Sequence, residues 1–257
     1  MPVINRRTWL IWPWLIWPWL GGAALAAGCA WLPRAAVVPM PVTRLPADPQ
    51  RRASVLVVML PGAYSVPGDF IDHGFVSNLH AQGFAVDVVL ADAHLGYAEN
   101  GTLLERLRDD VIVPAQREGY RRIWLVGISL GGFASLGVLM RQPESIEGVL
   151  AIAPYVGSPT LLRQVAAAGG PKAYAEAAHP GTDLEAQLWI WLGGTSPALR
   201  QQINVYTGSQ DRLITGQRML ATLLAADHVV EVPGDHDWPA WNALWLRWLA
   251  RAPWPHA

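Results

Sequence analysis

The sequence has one cysteine and little charge. Lysine and arginine number 19 and aspartate and glutamate 20 among 257 residues, a formal net charge of -1. A single cysteine excludes a disulfide framework and a multi-cysteine metal site. Balanced charge leaves no basic footprint for nucleic acid. The glycine-rich turn at 127–132 has neither the lysine of a P-loop nor the G-x-G-x-x-G of a dinucleotide site. Apolar residues, by contrast, make up 52% of the chain, which excludes a disordered polymer. The length suits one large α/β domain or two small ones.

Tryptophan is abundant, with 14 residues, and five of them lie within the first 19 positions. Arg6 and Arg7 precede an uncharged run from Thr8 to Pro33, in which Leu-Ile-Trp-Pro-Trp occurs twice. A short positive region before an apolar one is the pattern of an export signal. The run reaches Leu25-Ala26-Ala27-Gly28-Cys29. This resembles the lipobox of bacterial lipoproteins, which implies cleavage before Cys29 and lipidation of its thiol. The alternative is an uncleaved membrane anchor. Either way the chain is expected to be exported and held at the bacterial cell envelope, on the periplasmic side or the outer surface. Residues 1–28 are thus the signal, and the proline-rich residues 29–52 an extended tether.

From residue 53 the pattern alternates. Apolar runs at 54–60, 84–90, 121–127, 148–153, 203–207 and 228–232 read as strands. Segments 69–82, 103–117, 130–140 and 238–250 read as helices. Such alternation predicts an α/β fold, a mostly parallel central sheet with helices on both faces. The rhythm breaks between Tyr155 and Gln202. Residues 155–202 read as a small helical lid, with an ordinary crossover helix and loops as the alternative.

Gly127-Ile128-Ser129-Leu130-Gly131-Gly132 carries the central signal. It fits G-x-S-x-G between an apolar strand and a helix, the context of a nucleophile elbow. Serine is a weak nucleophile and needs a base and an orienting acid. Asp211 follows the fifth expected strand, and Asp183 fits that place less well. His236 follows the last. The order Ser129, Asp211, His236 is the one this elbow requires. Two backbone N–H groups should bind the developing oxyanion. Leu130 supplies one. The loop after the first strand supplies the other, with Ala63 the first choice and Tyr64 the second.

The elbow, the acid turn, the histidine loop and their order make residues 53–251 resemble an α/β-hydrolase-fold domain. Gly234-Asp-His236-Asp-Trp238-Pro-Ala-Trp241 is similar to the G-x-H-x-W-x-x-W ending of esterase D-like esterases. The resemblance implies a serine hydrolase that cleaves a small-molecule ester or thioester through an acyl-enzyme, without metal or organic cofactor; acyl transfer or peptide cleavage by the same three residues, or a lipoprotein that binds a ligand without catalysis, are the alternatives. Ligands of open α/β sheets bind beyond the C-terminal strand ends. Tyr64, Asp92, His94, Tyr97 and Trp238 are therefore expected to line the substrate pocket, together with Trp189 or Trp191 from the lid.

Overall fold

A computed structural model describes residues 34–177 and 183–256. The expectations on the signal and on Cys29 lie outside the described residues. Seven strands of the described chain make one sheet in the order β1-β3-β2-β4-β5-β6-β7. These are β1 (Val42–Leu45), β2 (Val55–Leu60), β3 (Val86–Ala91), β4 (Arg122–Ile128), β5 (Gly148–Ile152), β6 (Ile203–Gly208) and β7 (Val229–Val232). β2 to β7 run parallel, and β1 alone is antiparallel, on the edge.

The run in β2 shows why its sequence has no polar positions. Leu56, Val58 and Leu60 enter the core on one face, while Val55, Val57 and Met59 enter the core on the other. A parallel strand covered on both faces has no side left for polar residues. The first face is covered by helices that include α6 (Leu130–Arg141) and α9 (Leu184–Gly194). The second is covered by α1 (Asp69–Asp72), α2 (Phe75–Ala81) and α12 (Trp238–Leu249). Ten of the twelve residues of α6 are buried, so this helix is apolar all round and carries no amphipathic stripe.

Helix starts follow the sequence closely. Ser158 caps α7 (Pro159–Ala167) and Asp237 caps α12. Each side-chain oxygen accepts an N–H from the first turn, at Leu161 and Ala240, and a proline sits in that turn, where its missing N–H costs nothing. The helix expected over 69–82 is two helices, because Gly74 takes a left-handed φ of 79° between them. The helix over 103–117 stays continuous past Pro114 by widening into a π-helical turn over Leu107–Ile112.

The extended tether is corrected from Arg34 onward. The compact unit begins there, not at residue 53. Val42 to Leu45 pair with Ala91 to Val88 of β3. The buried Asp87 carboxylate accepts from the N–H groups of Ala47 and Ala53, both at 2.9 Å. The physical reason is the open edge of β3, whose N–H and C=O groups need partners. A four-residue, partly charged strand meets that need without inviting further strands.

Candidate active site

Ser129 is the only residue between β4 and α6. Its φ of 54° and ψ of -111° are strained for a non-glycine residue. Three backbone hydrogen bonds hold it. Its N–H donates to Ile152 O at 3.0 Å, and its carbonyl accepts from Phe133 and Tyr155 N–H at 3.1 and 3.0 Å. The flanking glycines make the turn possible. A Cβ on Gly127 would lie 2.1 Å from Gly131 O, one on Gly131 would lie 2.0 Å from Leu60 O, and one on Gly132 would lie 2.9 Å from Pro154 Cβ. No side chain fits at any of the three.

His236 and Asp211 meet the serine from loops that follow β7 and β6. His236 Nε2 lies 3.0 Å from Ser129 Oγ, and Nδ1 lies 2.7 Å from Asp211 Oδ2. A carboxylate only accepts, so Nδ1 carries the proton and donates it. Nε2 of the neutral ring then presents its lone pair to the serine hydroxyl. The two loops that bring these residues in are tied together. Gln210 N–H donates to Gly234 O at 2.9 Å, and Ser209 N–H donates to Val232 O at 2.8 Å. Trp241 meets the imidazole edge to face at 5.2 Å and backs it. Asp235 and Asp237 do local work instead, accepting from the N–H groups of His236 and Ala240.

Asp211 is 1% exposed. Burial raises its carboxyl pKa, but hydrogen bonds from His236 and from the Leu213 N–H, with the charge of His236, outweigh burial and hold it below its ordinary value. Leu213 N–H donates to the other carboxylate oxygen, Oδ1, at 2.7 Å.

A cleft of about 1010 Å³ opens over Ser129. Ala63, Tyr64 and Leu130 share its wall with the serine. Leu130 opens α6, so its N–H has no acceptor within the helix. The loop from β2 passes close above the elbow, since a Cβ on Gly62 would sit 3.7 Å from Ser129 Cβ. Apolar lining comes from Leu95, Ala98, Leu103, Leu104, Phe133 and Leu213.

Most of the expected pocket residues are elsewhere, and these are corrections. Asp92 is paired with Arg34 at 2.8 Å. His94 caps α3 (Leu95–Glu99), its Nδ1 accepting from Gly96 N–H at 3.1 Å. Burial, and then the charge of Arg34, lower its pKa, which suits an unprotonated nitrogen. The Tyr97 hydroxyl donates to Val37 O and accepts from Val37 N–H. Trp238 stacks on His73 at 4.1 Å, away from the cleft lining. Trp191 packs partly buried against the core. Trp189 is fully buried and donates Nε1–H to Val156 O at 2.6 Å. Trp189→Ala should therefore cost about 3–5 kcal/mol of stability. Denaturant melts should register that loss, and the ester-length preference of the folded fraction should stay unchanged.

The sequence reading passed over Tyr155 and Glu185. The Tyr155 hydroxyl donates a short hydrogen bond to Glu185, whose other oxygen accepts from Ser158 N–H at 2.8 Å. Burial, then this hydrogen bond and the glutamate charge, push the phenol above its usual range, so it stays protonated. Both residues line the cleft, as does Arg212 beside Asp211. They are 30 positions apart, and no local spacing links them.

Residues 104–251 match the model of a family described as "Putative esterase". A search of curated proteins finds no significant sequence match. Among solved structures, S-formylglutathione hydrolase from Staphylococcus aureus superposes with a TM-score of 0.55 at 12% identity, over 82% of this chain and 89% of that one. A ferulic acid esterase gives 0.56 at 14% identity, over 79% and 85%. The bottromycin epimerase gives 0.52 at 18% identity, over 82% and 94%. At such identities the likeness is one of fold, and the last case marks how far chemistry varies on it.

Proposed function

The chain belongs to this esterase family and is a carboxylesterase-like hydrolase, and from that premise we propose a membrane-tethered serine hydrolase in which Ser129, His236 and Asp211 form the acyl-enzyme machinery. The observation that carries the reading is the continuous relay, 3.0 Å from hydroxyl to imidazole and 2.7 Å from imidazole to carboxylate. Ser129 Oγ attacks the carbonyl carbon of an ester or thioester while His236 Nε2 takes its proton. Asp211 keeps the ring in the productive tautomer and stabilises the imidazolium. The N–H groups of Leu130 and of Ala63, with Tyr64 the alternative, bind the oxyanion. Collapse expels the alcohol or thiol, which takes the proton from His236. Water, activated by the same imidazole, then releases the acid and restores Ser129.

The apolar lining suits an acyl or aryl group. Tyr155, Asp183, Leu184, Glu185 and Gln187 supply one wall of the cleft, which supports reading that stretch of residues 155–202 as a small lid. The test is a hydrolysis profile over p-nitrophenyl esters and thioesters of increasing length, run beside a fluorophosphonate probe. Turnover with labelling confined to Ser129 is the expected result. Labelling of another serine, or none, overturns the assignment. For the tether, mass spectrometry of the N-terminal peptide from the native host should find a chain that begins at lipidated Cys29. An intact Met1 with an unmodified Cys29 in a soluble fraction overturns that part alone.

A further inference from the structure

The direction of one edge strand fixes where the chain enters the domain. β1 runs antiparallel to β3, so Val42 lies beside Ala91, at the C-terminal end of β3. The residues before β1 therefore arrive at the edge of the sheet from which Ser129, Asp211 and His236 project. Arg34 is fastened there. Its guanidinium grips both oxygens of Asp92 at 2.8 Å and reaches Ser65 O at 3.5 Å. Ser65 belongs to the loop that carries Ala63 and Tyr64 of the cleft wall. Val37 is held by both its N–H and its carbonyl to Tyr97 in α3, the helix whose Leu95 and Ala98 line the cleft.

These two segments also carry most of the exposed large apolar side chains of the described residues. Among the described residues, Val37 is 54% exposed, Val38 67%, Tyr64 74% and Val66 42%. Ile71, in α1 directly after the same loop, is 47% exposed, and only Leu246 on α12, at 48%, stands elsewhere. Scattered exposed apolar residues need no explanation, but a cluster at one rim does.

We propose that this rim is a docking face for a phospholipid bilayer, and that the cleft takes amphiphilic esters carried in that bilayer. The proposal rests on the tethered-hydrolase reading. The choice of a bilayer follows from the chain that precedes Arg34, which is uncharged from Thr8 to Pro33 and has Cys29 five positions upstream. Five residues span at most about 18 Å. A long free tether would let the domain tumble, but a chain pinned at Arg34 holds this rim, and the cleft mouth beside it, close to its anchor. Arg34 already spends its charge on Asp92, so docking is apolar and should persist at high salt.

The test uses the full anchored chain with phosphatidylethanolamine–phosphatidylglycerol vesicles. An environment-sensitive dye is placed by Val38→Cys, Val66→Cys or, as control, Leu246→Cys. Blue-shifted emission and shielding from iodide are expected at the first two positions and not at the third. The pair Val38→Asp and Val66→Asp should slow hydrolysis of a vesicle-borne diacyl ester about tenfold or more, leaving turnover of a soluble short ester unchanged, which also reports that the variant is folded. Equal dye response at all three positions, or none, overturns the docking face. Shielding that needs no vesicles and grows with protein concentration assigns the rim to a second copy and overturns it too. A parent chain that does not sediment with vesicles overturns the tether and this proposal together. A parent that sediments and docks but leaves the soluble ester intact overturns the hydrolase reading and the substrate half of this proposal, and the docking face stands on the dye.

Discussion

Ser129→Ala should lower kcat by roughly five orders of magnitude, and His236→Ala by a similar factor. In the proposed mechanism the hydroxyl forms the acyl bond, and the imidazole, 3.0 Å away, accepts its proton. Neither loss can be made up by its partner, because an activated nucleophile needs both. The double variant should therefore be no slower than either single one, which is the signature of groups that act as a unit. Stability should barely change in Ser129→Ala. Alanine inherits the same strained φ of 54°, and the backbone hydrogen bonds at that position do not involve the side chain. Single-turnover measurement on a p-nitrophenyl ester, with a thermal melt of the same sample, separates chemistry from folding. A rate within tenfold of the parent would move the nucleophile to another residue.

What the sequence made legible is what close packing or chain order dictates. Gly127 and Gly131 have to be glycine because other backbone atoms occupy the space of a Cβ, and Gly132 because Pro154 crowds it. That is why the motif is legible in the sequence. The carboxylate and the imidazole are expected from chain order, one after each of the last two strands. The pocket was not legible, for a different physical reason. Asp92, His94 and Tyr97 do stand at the ligand-binding edge of the sheet, as the rule for open α/β sheets requires. The segment from Arg34 to Pro41 reaches the same edge first, and pairs with Asp92 and Tyr97. A four-residue strand following prolines gives no periodic signal, so nothing warned of it. The tryptophans failed similarly. Their apolar character announces burial, and only the fold decides whether they bury into core, as Trp189 does, or against substrate.

Asp211→Asn should lower kcat by about four orders of magnitude with the fold intact, because it changes the proton on the ring rather than the position of the ring. The carboxylate fixes the proton on His236 Nδ1 at 2.7 Å. In the variant, Leu213 N–H still needs the remaining carbonyl oxygen, its partner at 2.7 Å in the parent. The new amide N–H₂ is then turned toward the imidazole. Nδ1 must accept from it, so Nε2 becomes the protonated nitrogen and offers the serine a donor where a base is needed. The parent's behaviour in acid separates this from simple loss of charge. The Asp211 pKa is depressed on folding, so its share of stability is full above the ordinary carboxylate value of about 3.9 and is lost only as pH falls through the lower folded value. Asp211 thus stays ionised through neutral and mildly acidic pH. In Asp211→Asn the rate should be low at every pH across that range, with no acidic window in which it matches the parent. Stopped-flow pH profiles of both proteins decide it. A variant that equals the parent anywhere between neutral and mildly acidic pH would assign the orienting role to a different carboxylate, and Asp183, exposed at the start of α9, would be the next to replace.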